Sequence, residues 1–415
     1  MSGRADTHRA GDLDVFLVAA ETSADMLGAG LMRSLVTTRP GAVTFRGLGG
    51  PAMTEAGLAS LFPIRDLAAI GAASVIAKLP TILRRMRETV DAIVTAPPDV
   101  LVLIDAPDFT HRIAARVRRR LPNLPIVKYV SPTVWIWRPG RAKAMRRSFD
   151  LVLALLPFEP EVHRQLGGPP CVYVGHPVLD RLDELRPSPE DERARAGEPP
   201  LVLALPGSRP QELRRLAGVF GEALGMVAAQ RGPLDVVLPT LPHLAEQAAA
   251  ATATWPVRPH IVLQDAEKFA AFRRARAALA ASGTVTLELA LARVPHVAAY
   301  RIPAVEALIF QSLVRVHPLI GVRSVILANL LLGEYAVPEF LQDRCTAANI
   351  APSLQMLLDD PSVRRRQLDA FARIDAIVGV GEASPSERAA QAVLELLAKR
   401  AISPDASPAA TMPGR

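Results

Sequence analysis

Residues 100–120 read Val-Leu-Val-Leu-Ile-Asp-Ala-Pro-Asp-Phe-Thr-His-Arg-Ile-Ala-Ala-Arg-Val-Arg-Arg-Arg. The first five are apolar without alternation, as in a strand buried on both faces of a parallel sheet. Asp105 to Phe109 then form a short polar turn, and the following residues read as a helix that begins there. A strand that ends in polar side chains and runs into a helix is the repeating unit of an α/β fold.

The same unit recurs in both directions from this stretch. Val15–Ala20, Ile126–Val130 and Leu151–Leu155 are further apolar runs in the first half. Leu201–Leu205, Val236–Leu238, Ala277–Ala281 and His296–Ala299 continue the series in the second. The fold class expected is α/β with two doubly wound, Rossmann-like domains. A chain of 415 residues also exceeds what one core usually supports. The boundary is best placed at 183–200, DELRPSPEDERARAGEPP, a stretch rich in proline and charge. The expected domains are therefore 12–182 and 201–383, joined by that linker. A last helix within 384–402 places Ala390, Val393, Leu394 and Leu397 on one side, and it is expected to pack back on the first domain.

Composition narrows the function. Half the residues are apolar and 21% are charged, which excludes a disordered chain. The net charge of +7 suits anionic lipid, phosphorylated ligands or nucleic acid, but no nucleic-acid module accompanies it. The two cysteines, Cys171 and Cys345, form no CxxC pair, so a zinc site and a disulfide framework are not expected and a reducing cytosol fits. The N-terminus carries charges where a secretory signal has an apolar core, and no apolar run is long enough to span a bilayer.

Ligands of open α/β sheets sit at the carboxyl ends of strands, so the residues after each run are the candidates. Glu21, Ser23 and Asp25 follow the first; they either hold a hydroxylated ligand or, with Thr22, cap the next helix. Asp105 and Asp108 follow the stretch quoted above, where one carboxylate is able to act as a general base and the other to cap. Trp135, Trp137 and Arg138 lie in an aromatic and basic segment, suited either to a sugar face with a phosphate or to core packing beside a solvated basic helix. In the second half, Pro206-Gly207-Ser208-Arg209 opens a helix as a diphosphate cradle would. Ser282, Gly283 and Thr284 make a second such turn, with Glu288 positioned to accept from ribose hydroxyls. Asn329, Glu339 and Gln342 are polar residues among large apolar ones, and they find partners either in a ligand or in an internal network. GxGxxG is absent, so no dinucleotide cofactor is indicated.

Taken together, these segments resemble lipid-A-disaccharide synthases, inverting glycosyltransferases of the GT-B architecture with two Rossmann-like domains facing a central cleft. The matching pieces are AETSADMLGAGLM, GLGGPAM, LIDAPDF, YVSPTVWIWRPGR, VGHPVLD, LPGSR, ASGTVTLE and NLLLG with VPEFLQ, in family order from Ala20 to Gln342. The resemblance implies a donor, UDP-2,3-diacylglucosamine, an acceptor, 2,3-diacylglucosamine 1-phosphate, and no cofactor or metal. It makes Asp105 the leading base, with Asp108 the alternative. It places Arg209, Ser282, Gly283, Thr284, Glu288, Asn329, Glu339 and Gln342 around the UDP-sugar. Glu21, Ser23, Asp25, Trp135 and Arg138 would line the acceptor side. A divergent acceptor and a non-catalytic UDP-sugar or lipid-binding relative are the other readings.

Acylated substrates imply a peripheral protein on the cytoplasmic face of the inner membrane, with room for a homodimer. Ile70, Val75, Ile76, Leu79, Ile82, Leu83 and Met86, interspersed with basic residues, suit an interfacial helix interrupted by Pro80; a buried helix with a basic edge is the other reading. The family's first loop reads Gly-Glu-x-Ser-Gly-Asp, whereas both glycines here are alanine, Ala20 and Ala24. A left-handed conformation at either would be strained, and a ligand pressed against either would meet an added methyl.

Overall fold

A computed structural model describes residues 12–67, 72–136, 138–302 and 323–402, with the backbone alone for residues 72–77. It divides into two compact units, Met1–Pro177 with Glu382–Arg415, and Val178–Gly381. The two sheets are wholly parallel and interleaved with helices, so the fold is α/β with two Rossmann-like units.

The first unit holds strands β1 (Leu13–Ala19), β2 (Val43–Leu48), β3 (Ala59–Ser60), β4 (Val100–Ile104), β5 (Ile126–Tyr129), β6 (Leu151–Ala154) and β7 (Cys171–Tyr173). They lie in the order β3-β2-β1-β4-β5-β6-β7. Helices α1 (Thr22–Thr38), α2 (Pro51–Glu55), α3 (Ala72–Thr95), α4 (Pro107–Arg120), α5 (Gly140–Met145) and α6 (Glu159–Gln165) make the crossovers. β1 shows why its sequence is apolar throughout. Val15, Leu17 and Ala19 enter the core on one face, while Phe16, Val18 and Ala20 enter the core on the other.

The second unit begins with α7 (Leu182–Leu185) and α8 (Pro189–Arg195), then β8 (Leu201–Leu205), α9 (Pro210–Arg231), β9 (Asp235–Pro239), α10 (Ala245–Thr252) and β10 (His260–Val262). It continues through α11 (Asp265–Arg274), β11 (Ala277–Ala281), α12 (Val285–Leu291), β12 (His296–Tyr300), α13 (Leu327–Leu332), β13 (Glu339–Leu341), α14 (Ala347–Asp359) and α15 (Pro361–Val378). The strand order is β10-β9-β8-β11-β12-β13. The stretch 183–200, expected to be a linker, is folded. Ser188 and Asp191 form a capping box on α8. Arg195 donates to the carbonyls of Phe272, Arg273, Ala292 and Arg293 at the ends of α11 and α12. Its charge thus serves as a clamp on backbone, a role that composition alone does not distinguish from a solvated spacer.

The final helix, α16 (Pro385–Ile402), returns to the first unit and packs on α1. Ala390 and Val393 are fully buried there, with Leu394 and Leu397 partly so. A Cβ at Gly30 of α1 would stand 2.5 Å from the Ser386 hydroxyl, so a larger residue there makes that hydroxyl turn away.

Candidate functional site

In each sheet the strand order reverses once, between β1 and β4 in the first unit and between β8 and β11 in the second. Ala19 pairs with Ile104, and Leu205 with Ala280, so each pair of strands ends side by side. The loops that follow open a crevice at these switch points, where ligands of doubly wound folds bind. The first crevice receives the loops carrying Glu21, Ser23, Asp105 and Asp108; the second receives Gly207, Arg209, Ser282, Gly283 and Thr284.

Asp105 is half-buried at the mouth of β4. It and Ala106 both adopt left-handed backbone, with φ of 46° and 40°. Such conformations are unfavourable for residues with a Cβ and mark places where surrounding structure imposes them. The Asp105 N–H donates to the Tyr129 carbonyl at 2.9 Å. Its own carbonyl accepts from the Thr110 hydroxyl at 2.8 Å and from the Lys128 ammonium. Burial holds Lys128 down to about 7, opposed by Asp105 and assisted by Arg141. Asp108 lies in the first turn of α4, with its side chain 87% exposed and paired to Arg141 at 3.3 Å. Of the two carboxylates, only Asp105 sits in a constrained environment.

The loop after β1 does not supply the side-chain cap that one reading of its sequence expects. The N-cap of α1 is Glu21, and its side chain makes no capping bond. Glu21 and Ser23 are exposed, whereas Asp25 is 1% exposed. The Asp25 carboxylate accepts from the backbone N–H groups of Gly50, Ala52 and Met53 at 2.7 to 3.1 Å, which anchors α2. This corrects its expected place beside the acceptor: its bonds are filled internally by the start of α2. Neither Ala20 nor Ala24 has positive φ. Both are buried in the core, Ala24 fully, so alanine strains nothing there.

Trp135 is also corrected. It is 3% exposed, packs edge-on against Phe158, and donates its indole N–H to Glu159 at 3.3 Å. A buried ring cannot offer a face to a sugar. Arg138 is exposed with φ of 51°, and Trp137 lies outside the described residues. Beneath this loop is a buried polar cluster that the sequence did not signal. Glu159 accepts from the N–H groups of Leu155 and Leu156, and burial pushes its carboxyl up to about 7. His163 meets the Ser131 hydroxyl at 2.9 Å and is held down to about 4 by burial.

In the second unit, Gly207 has φ of 113°, and a Cβ there would meet the Glu212 side chain at 2.5 Å. Only glycine permits this turn. Arg209 follows as the N-cap of α9, with its side chain 77% exposed and paired to Glu212 at 3.0 Å. Arg209 is the exposed partner of the pair, whereas Glu212 is buried, so the guanidinium remains open to a ligand anion. On the neighbouring strand's loop Gly283 has φ of 152° and Thr284 is the N-cap residue of α12 without a side-chain capping bond; the N–H groups of Thr286 and Leu287 donate to the carbonyls of Gly283 and Thr284. The Ser282 hydroxyl donates to the Val325 carbonyl at 2.7 Å. Glu288 accepts from Lys268 at 2.8 Å.

The last group sits differently. Asn329 is fully buried, and its amide bonds both backbone groups of Val337, at 2.8 and 3.0 Å. It is an internal tie, which corrects its expected contact with the donor. Asn329→Ala leaves two buried backbone groups unpaired and is expected to lower stability by about 2–3 kcal/mol, read as a lower urea midpoint. Glu339 accepts from Ser324 at 2.8 Å, and burial raises its carboxyl. Gln342, at φ of 51°, accepts from the Ile302 N–H at 3.1 Å. These two also hold neighbouring segments together.

The basic amphipathic stretch forms α3, continuous through Pro80. Leu79 is 43% exposed and Leu83 half-buried, but Met86 is 2% exposed and Ile82 packs on the core. Met86 is therefore a core residue rather than a membrane contact, because it lies on the face of α3 turned to the sheet. Ile70 and the side chains of Val75 and Ile76 lie outside the described residues. Among the described residues no helix is long and apolar enough to cross a membrane, and no cluster of three His, Cys, Asp or Glu is arranged to hold a metal.

The family model described as lipid-A-disaccharide synthetase matches residues 15–393. The lipid-A-disaccharide synthase of Nitrobacter hamburgensis is 56% identical over 383 residues, 92% of this chain and 95% of that protein. The one from Rhodopseudomonas palustris strain HaA2 is 54% identical, covering 93% and 96%. Among solved structures, the UDP-GlcNAc 2-epimerase of Neisseria meningitidis bound to UDP-GlcNAc superposes with a TM-score of 0.58 at 13% identity, covering 94% of this chain and 99% of that one. The calicheamicin glycosyltransferase gives 0.56 at 14% identity, covering 94% and 99%. At such identities the likeness speaks for the fold alone.

Proposed function

The chain belongs to the lipid-A-disaccharide synthase family and is a glycosyltransferase of lipid A biosynthesis, and from that premise we propose that it joins UDP-2,3-diacylglucosamine to 2,3-diacylglucosamine 1-phosphate with inversion. Asp105 takes the proton from the acceptor 6-hydroxyl. The freed oxygen attacks the anomeric carbon of the donor from the face opposite the diphosphate. The bond from that carbon to the diphosphate oxygen breaks, its electron pair leaves with UDP, and a β-1,6-linked disaccharide 1-phosphate forms.

The observation that carries this reading is the half-buried Asp105 on a strained turn at the first switch point. In the second unit, Arg209 and the turn from Ser282 to Thr284 present a guanidinium and the turn's own backbone N–H groups to the diphosphate, with Glu288 at the ribose. Positive groups aimed at a departing diphosphate stabilise the charge that develops there without a metal ion. On the acceptor side, Glu21, Ser23 and Arg138 are the exposed candidates. Leu79 and Leu83 on α3 are the described residues suited to meeting the bilayer that holds both acylated sugars.

The test is turnover of both sugars in detergent micelles with EDTA present, following UDP release and the anomeric configuration of the product. A β-linked disaccharide formed in EDTA supports the proposal; an α-linkage, a metal requirement or a product with another acceptor only would overturn it. Arg209→Ala is expected to reduce kcat by about 100-fold, with Arg209→Lys recovering part of it. The measurement is steady-state UDP release at saturating sugars.

A further inference from the structure

Strand β5 carries a residue that the core does not call for. Lys128 is fully buried in a run otherwise made of Ile126, Val127 and Tyr129. Its cross-strand neighbours are Leu103 on β4 and Val152 on β6, both fully buried. An aliphatic side chain would suit this slot, whereas taking an ammonium out of water is costly unless strong hydrogen bonds repay it. The Lys128 ammonium makes two such bonds, to the Asp105 carbonyl and to the Thr110 hydroxyl, the latter at 3.0 Å. Thr110 in turn shares its one proton between the carbonyls of Asp105 and Ala106, at 2.8 and 3.0 Å. The polar atoms gathered around this lysine thus belong to one feature, the pair of consecutive left-handed residues at the end of β4.

We propose that Lys128, acting with Thr110, is a positioning residue for the transfer reaction: it holds the Asp105–Ala106 turn in its left-handed form and so aims the Asp105 carboxylate. The proposal rests on the reading of Asp105 as the base. Asp105 and Ala106 have no glycine to make that conformation inexpensive, so the turn needs an external hold. Two donors on the carbonyl of the base itself supply it from the neighbouring strand and from the helix that follows. The chain therefore carries a buried charge in its sheet for the geometry of one side chain, which is the pattern of a site where stability yields to function.

That pattern separates this role from a merely structural one. Lys128→Met removes the buried charge but keeps the length and fills the slot with apolar atoms. It is expected to unfold at or above the wild-type temperature while kcat falls by about tenfold or more. KM for both acylated sugars should stay within about threefold. Lys128→Gln, which retains an N–H donor, should recover part of the loss, and Thr110→Val should lower kcat in the same direction. Full activity in a folded Lys128→Met would overturn the proposal. So would a loss of activity that only follows a lower melting temperature. If Lys128→Met does not fold, Lys128→Gln and Thr110→Val are read against the same criteria. Asp105→Asn runs alongside: if it stays active, the base assignment falls; if it is inactive beside a fully active Lys128→Met, only the role of Lys128 falls.

Discussion

Asp105→Asn is expected to lower kcat by about 1,000-fold or more while leaving the protein as stable as before. The first half follows from chemistry. An amide cannot take the proton from the acceptor hydroxyl, and a positioned general base contributes about 10²–10⁴ in rate. The second half follows from the backbone. Asp105 stands at φ of 46°, and asparagine tolerates the left-handed region better than almost any residue but glycine. The bonds that pin the turn use the main chain of residue 105, its N–H to Tyr129 and its carbonyl to Thr110 and Lys128, so the substitution leaves them in place. UDP release at saturating sugars, with a melting curve of the same sample, reads both halves.

Asp108→Asn is the contrast. Its carboxylate is 87% exposed and meets Arg141 at 3.3 Å, a pairing of the kind that contributes little in water. The rate should change by no more than about threefold. If the two variants exchange these outcomes, the base sits on α4, and the strained turn needs another explanation.

The sequence displays its large features because they have a simple physical cause. A strand buried on both faces must be apolar at every position, as β1 and β4 are. Such runs in series announce two parallel sheets. The strands that escape this reading lie toward the sheet edges. In β2, β7 and β10 most residues are partly or fully exposed, so their sequences alternate or turn polar. The loops at strand ends were also legible, since a polar cluster after an apolar run falls at the carboxyl edge by construction. Lys128 could have been found the same way: a lone charge inside Ile-Val-Lys-Tyr-Val has nowhere to go but inward.

What a sequence does not display is who fills a polar side chain's bonds. Asp25 in the first turn after β1 and Asn329 on α13 both read as ligand contacts. Yet Asp25 is bonded by three N–H groups of α2, and Asn329 by both backbone groups of Val337. The partners lie 25 to 28 residues away in one case and eight in the other, at spacings set by tertiary structure. Trp135 and Met86 err for the opposite reason. Their composition suits a surface function, but the folding of the 131–136 segment and the rotation of α3 turn them inward. The alanines at 20 and 24 illustrate the same limit. Whether a methyl is tolerated depends on φ and on the neighbouring core, and both permit it here.

Acidification should destabilise the protein between about pH 6.5 and 4, beginning above the range in which ordinary carboxylates are protonated. His163 and His296 are both fully buried, and burial holds each down to about 4. His111, packed edge-on to Phe149, is held down to about 3 by burial and by the charges of Lys128 and Arg141. Below pH 6.5 an unfolded chain takes up protons that these rings refuse while folded, so stability falls as the pH falls through that window. For His163 and His296 the loss by pH 4 is on the order of 3 kcal/mol each. Glu159 works in the other direction. Its carboxyl, pushed up to about 7 by burial, binds a proton in the folded state first, so its contribution grows as the pH falls from 7 toward 4.5. Glu339, also raised by burial, acts in the same direction, but two carboxyls do not offset three rings, and the net slope remains destabilising. The cause at His296 is specific: Nδ1 lies 3.0 Å from the Val294 carbonyl, whereas Nε2, beside the ring of Phe371, is buried without a partner among the described residues. A proton on Nε2 has no acceptor there. His296→Phe keeps the stack and removes the titration, and should move the acid midpoint, followed by circular dichroism, to lower pH. A midpoint that stays in place and lies below about pH 4.5 would assign acid unfolding to ion-paired carboxylates such as Glu198 instead. Arg231 and Arg276 hold that group down to about 2, and its contribution is lost only in that lower window.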